Sequence, residues 1–82
     1  LPNFADVIWD EDIETILADC RKLGVKEFTI SSTFSSLIET IAKFEELGCS
    51  LDGIVKVRDR HTHFGTDEHK LIPAFKMTVK EA

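Results

Sequence analysis

Twice in 82 residues a stripe of apolar side chains at helical spacing runs into a Leu-Gly-apolar triplet and then into an alternating segment. The triplets are Leu23-Gly24-Val25 and Leu47-Gly48-Cys49. Glycine just past a helix accepts the left-handed conformation that other residues resist, and the apolar residue after it folds back over the last turn. The chain thus predicts the same helix-to-strand exit at two places. Three residues are too few to make this an internal duplication.

The first helix is predicted over residues 10–23. Asp10, Glu11 and Asp12 suit its positive end, Arg21 and Lys22 its negative end. Ile13, Ile16, Leu17 and Cys20 recur at three- and four-residue steps and form its buried stripe. Residues 1–9, with the helix breakers Pro2 and Asn3, read as an extended lead-in. Lys26 to Ser31 alternate, with Phe28 and Ile30 on one side, and predict a half-buried strand. The second stripe is Phe34, Leu37, Ile38, Ile41 and Phe44. Ser36 followed by Glu39 matches a capping box, and Glu39 with Lys43 is a favourable i, i+4 pair.

Gly53 is expected to open the next strand, with Val55 and Val57 facing the core and Ile54, Lys56 and Arg58 facing away. Residues 60–70 are polar, contain Gly65, and read as a loop. Leu71 to Lys80 alternate again, with Phe75, Met77 and Val79 inward and Ala74, Lys76, Thr78 and Lys80 outward. Pro73 cannot donate to a ladder and belongs at a strand start or sheet edge. The last two strands therefore form an antiparallel hairpin. The expected fold is α+β, a two-layer sandwich in the order α-β-α-β-β, with two helices on one face of a three-stranded mixed sheet. Residues 10–82 form this single domain. Its expected core is the inward set named above: Ile13, Ile16, Leu17, Cys20, Phe28, Ile30, Leu37, Ile38, Ile41, Phe44, Val55, Val57, Phe75, Met77 and Val79.

Composition narrows the classes of function. The chain is 43% hydrophobic and 30% charged, a globular balance rather than a disordered one. Ten basic residues against 15 acidic ones leave a formal charge of −5, which argues against bulk binding to nucleic acid or anionic membrane. No apolar run approaches the ~18 residues of a membrane span, and no secretory leader is visible. The chain starts at Leu1 and is expected to be a piece of a longer protein. Its two cysteines, Cys20 and Cys49, are too few for a disulfide scaffold and read as buried thiols of a reducing, cytoplasmic setting, with a bridge between them as the alternative.

Four groups of residues are candidates for function. All three histidines, His61, His63 and His69, fall in the loop 60–70 beside Phe64, Asp67 and Glu68. Imidazole with carboxylate suits zinc, but the spacing matches no named zinc motif, and an incidental solvated tip is the plainer reading. Lys56, Arg58, Lys76 and Lys80 project together from the open sheet face if both strands alternate regularly. Such a basic wall can track phosphates, although that face has no aromatic on its strands for stacking. Alternatively the lysines solubilise an exposed face that also carries Ile54, Ile72 and Ala74, or that face is covered by protein. Ser31, Ser32, Thr33, Ser35 and Ser36 precede a helix N-terminus, where hydroxyls cap locally and where anions also bind. No glycine opens that turn to a phosphate. Glu45 and Glu46 sit at the unfavourable, negative end of the second helix and read as an exposed pair or a partner surface.

Three segments together, Lys26 to Ser32, Phe44 to Gly48 and Ile72 to Met77, resemble a small domain of unknown function found in proteins of Gram-positive gut bacteria and their phages or mobile elements. The resemblance covers about residues 15–80. It implies an intracellular bacterial setting and an accessory or interaction role, and it identifies no catalytic residue. The family's hairpin loop matches at Thr62, Phe64, Gly65 and Glu68 but not at the three histidines, which weakens the zinc reading.

The expected function is a non-enzymatic interaction module using the open sheet face and the hairpin tip. Its expected partner is protein: a second copy, a flanking segment or another chain. Nucleic-acid binding through Lys56, Arg58, Lys76 and Lys80 is the alternative, and a metal-dependent activity at the tip is the third reading. No cofactor is implied.

Overall fold

A computed structural model describes residues 2–58 and 71–80. The elements run β1 (Asn3–Phe4), α1 (Asp10–Leu23), β2 (Glu27–Ile30), α2 (Leu37–Glu46), β3 (Cys49–Arg58) and β4 (Leu71–Val79). The sheet has four strands in the order β1-β2-β4-β3. β1 lies parallel to β2, while β4 is antiparallel to both β2 and β3. The α+β class and the two helices stand as expected, but the three-stranded sheet is corrected to four. The extra strand comes from the lead-in. Two residues are too short to show a period, and they pair because backbone N–H groups of β2 reach them: Thr29 N–H donates to the Pro2 carbonyl at 2.9 Å and Ser31 N–H to the Phe4 carbonyl at 3.0 Å.

α1 occupies the predicted span. Gly24 adopts φ +71°, Gly24 N–H donates to the Arg21 carbonyl at 3.4 Å, and Val25 N–H to the Cys20 carbonyl at 2.8 Å. This pair of bonds closes the helix end in the way a left-handed glycine permits. α2 begins at Leu37 with Ser36 as N-cap, but the Ser36 side chain makes no capping bond, so the capping box does not form. Lys43 pairs with Glu46 at 3.7 Å rather than with Glu39.

Both helices cover one sheet face. Ile13, Leu17 and Cys20 of α1 meet Phe44 of α2 above Phe28, Ile30, Met77 and Val79. The Phe28 ring stands edge-on to Phe4, with centroids 5.6 Å apart, and tilted against Phe44 at 5.1 Å. Such aromatic contacts add to the burial of the rings themselves. Ile8 and Cys49 join this core from outside the expected set. Ile38, expected inside, is 84% exposed.

β3 starts at Cys49, four residues before the expected Gly53, and its register slips between Leu51 and Gly53. Asp52 is the extra residue of a β-bulge, and Gly53 takes φ +143°, a conformation open to glycine. The slip reverses the alternation that follows. Ile54 now pairs with Phe75, Lys56 with Pro73 and Arg58 with Leu71, on the helix side of the sheet. Val55 pairs with Ala74 and Val57 with Ile72, on the far side. Val55 and Val57 are therefore not part of the helix-side core, because one inserted residue inverts their phase.

Candidate functional site

The bulge divides β3 into two working halves. From Cys49 to Leu51 the strand lies over the core. Beyond it, β4 pairs with β2 only from Phe75 to Thr78, so Leu71–Ala74 and Ile54–Arg58 continue as a two-stranded ribbon. A ribbon of two strands is marginal in water without something packed on a face.

The far side of this ribbon carries Val55, Val57, Ile72 and Ala74 in adjacent cross-strand pairs. Ala74 is buried and the other three are half-buried. No helix lies over this strip among the described residues, since both helices occupy the opposite face. Further along the same side, Lys76 forms an ion pair with Glu27 at 3.1 Å. Thr78 donates to the Asp52 carboxylate, and Ser50 donates to its other oxygen at 3.2 Å.

On the helix side the ribbon presents Ile54 (68% exposed) and Leu71 with Lys56 and Arg58, all exposed. A groove of about 230 Å³ runs below Ile54 toward α2, lined by Ile30, Ser32, Leu37 and Phe75. Ser32 Oγ is buried without a hydrogen-bond partner among the described residues. A second cleft, about 580 Å³, separates the helices and is lined by Asp10, Glu11 and Glu14 of α1 and Glu39, Lys43 and Glu46 of α2. Five carboxylates thus face one cation, which Glu46 already engages. Trp9 and Ile38, each directly preceding an acidic lining residue, are exposed.

The expected basic wall is split. Lys56 and Arg58 stand on the helix side, Lys76 stands on the far side with Glu27, and Lys80 follows the end of β4, its N–H donating to the Gly48 carbonyl at 2.9 Å. Of the serine cluster, Ser31 Oγ accepts from Asn3 Nδ2 at 3.0 Å, and Asn3 Oδ1 accepts from Thr29 Oγ1 at 2.7 Å. These hydroxyls fasten β1 to β2. His61, His63, Phe64 and His69 lie outside the described residues, so the expected hairpin-tip site does too. Among the described residues no group of three or more His, Cys, Asp or Glu side chains is placed to hold a metal ion.

Burial raises the pKa of both thiols above the ordinary value; Asp19 adds to the effect at Cys20, and Arg21 opposes it at both. The two cysteines are free and buried. Ile72 and Ala74 were expected on the open face; what escaped the sequence reading is the completion of an apolar strip there by Val55 and Val57, and the acidic cleft. The strip had a signal in Asp52-Gly53, because glycine inside an alternating strand marks a bulge. The cleft had none, since it exists only where two helices pack.

Two helices on a four-stranded mixed sheet, with an open apolar ribbon and an acidic interhelical cleft, define a small two-layer α+β domain. The chain belongs to the DUF7698 family, a domain of unknown function, whose model matches residues 1–79. No curated protein and no solved structure matches it. No helix among the described residues is long and apolar enough to cross a membrane.

Proposed function

We propose that this domain is a non-enzymatic interaction module of a bacterial or phage protein, acting in the cytoplasm through the open face of its sheet and the 60–70 hairpin tip. The observation that supports this reading is the strip Val55, Val57, Ile72 and Ala74 on the far side of a ribbon that is two-stranded among the described residues. Val55, Val57 and Ile72 are half-buried, so covering each gains only part of the roughly 1.5–3 kcal/mol that full burial of an exposed side chain of this kind contributes. A protein surface supplies that cover. Nucleic acid fits less well, because the four basic residues do not share a face and Lys76 is engaged by Glu27.

A photo-cross-linking residue in place of Val57, irradiated in the producing cell, tests the reading. Discrete protein adducts are expected from position 57 and none from the exposed position of Lys22 on α1. Absence of any discrete adduct from position 57 would overturn it.

A further inference from the structure

The helix side of the molecule carries two surfaces of opposite charge that do not meet within one copy. One is the ribbon overhang, with Lys56 and Arg58 beside the exposed Ile54 and Leu71. The other is the α1–α2 cleft, with Asp10, Glu11, Glu14, Glu39 and Glu46. An exposed apolar residue directly precedes a lining carboxylate in sequence at each helix: Trp9 (64% exposed) before Asp10 and Ile38 before Glu39. The overhang is thus matched to the cleft in charge, cation to carboxylate, and Ile54 and Leu71 are matched by exposed apolar neighbours in sequence, Trp9 and Ile38. The overhang is not covered by its own helices, as the exposure of Ile54, Lys56 and Arg58 records.

We infer that the occupant of each surface is the other surface on a second copy of this chain. A two-fold axis brings overhang to cleft twice, once in each direction, so a closed dimer satisfies both surfaces and leaves none to propagate a fibre. The contact is built on the opposite side of the sheet from the Val55–Ile72 strip, so it goes beyond the interaction reading above and leaves that strip free. Charge complementarity fixes its register, and the exposed apolar side chains supply its buried area.

The test is sedimentation equilibrium at about 0.1 M salt, where the ~10 Å Debye length screens the net repulsion between two acidic copies but not contacts at a few ångström. Wild-type chain should show a mass that rises with concentration toward twice the monomer. Glu11→Lys, Glu14→Lys and Glu39→Lys together make the cleft basic, and Lys56→Glu with Arg58→Glu makes the overhang acidic; all five positions are exposed, so the fold should survive, as amide spectra will show. Each of these two variants alone should stay monomeric. An equimolar mixture should form a one-to-one dimer, because both overhang–cleft contacts are then attractive again. A wild-type chain monomeric throughout the series, or a mixture that does not associate, overturns the inference. Neither outcome bears on the adducts expected from position 57.

Discussion

Arg21 Nη2 donates to the carbonyl oxygen of Leu47 at 2.9 Å and reaches that of Lys80 at 3.3 Å. One guanidinium at the end of α1 therefore ties down the exit of α2 and the end of β4. Carbonyls at a helix end lack partners within the helix, and a cation is the favoured donor there. Because the bonds are exposed, Arg21→Ala should cost about 1–2 kcal/mol. Arg21→Lys should recover part of this, since an ammonium lacks the planar fork. Urea midpoints of the three proteins measure it; an unchanged Arg21→Ala midpoint would remove the clamp from the account.

The two helix-exit glycines should respond unequally to alanine. Gly24 sits at φ +71° with open space around it, so Gly24→Ala carries only the left-handed penalty, about 1 kcal/mol. Gly48 sits at φ +100°, and an added Cβ would stand 3.1 Å from Arg21 Nη2. Gly48→Ala should therefore cost about 2 kcal/mol or more and also loosen the clamp. Thermal unfolding ranks the pair, and equal losses would contradict the assigned geometry.

Cys20 and Cys49 should react slowly with an aromatic disulfide reagent at neutral pH and at full rate in urea, since burial disfavours both the thiolate and access to it. The folded pKa values lie above the unfolded one. The thiols' contribution to stability is thus complete below the unfolded value of about 8.5 and declines as pH rises from there through the folded values. Urea midpoints between pH 7 and pH 10 should show this decline. It should shrink in the Cys20→Ala, Cys49→Ala double variant, and an equal decline in that variant would assign it to other groups.

Ile13 and Ile38 both lie on helical apolar stripes but should behave as opposites. Ile13 is fully buried beneath α1, and Ile13→Ala should cost about 2–5 kcal/mol. Ile38 is almost entirely in solvent, and Ile38→Ser should shift monomer stability by no more than about 0.5 kcal/mol. Chemical denaturation at low protein concentration separates the two, and a large loss at Ile38 would place it inside.

What could be read in the chain was whatever a single element decides for itself. α1 shows both ends because its charges and Gly24 act within one turn, and the hairpin of β3 and β4 shows because alternation persists over many residues. What could not be read was settled between elements. β1 pairs through two residues whose partners lie 26 positions away in the register, Asn3 with Thr29 and Phe4 with Ile30. Thr29 and Thr40 are buried although polar, and Thr29 is accommodated by its bond to Asn3. The basic wall was drawn from regular alternation, and Asp52 breaks that regularity once. Asp10, Glu11, Glu39 and Glu46 were legible one by one as charges at helix ends, but the cleft that they line with Glu14 depends on how α1 meets α2.

The inserted residue at Asp52 also gives the two ends of β3 different evolutionary freedoms. Cys49 answers to the packing under both helices, so drift there is held in check by the need to fold. Residues 54–58 answer to whatever meets them from outside, and they are free to change size and charge without disturbing Phe28, Phe44 or Met77. Relatives of this chain should accordingly share the first half of the strand and diverge in the second, each lineage refitting its own ribbon to its own counterpart.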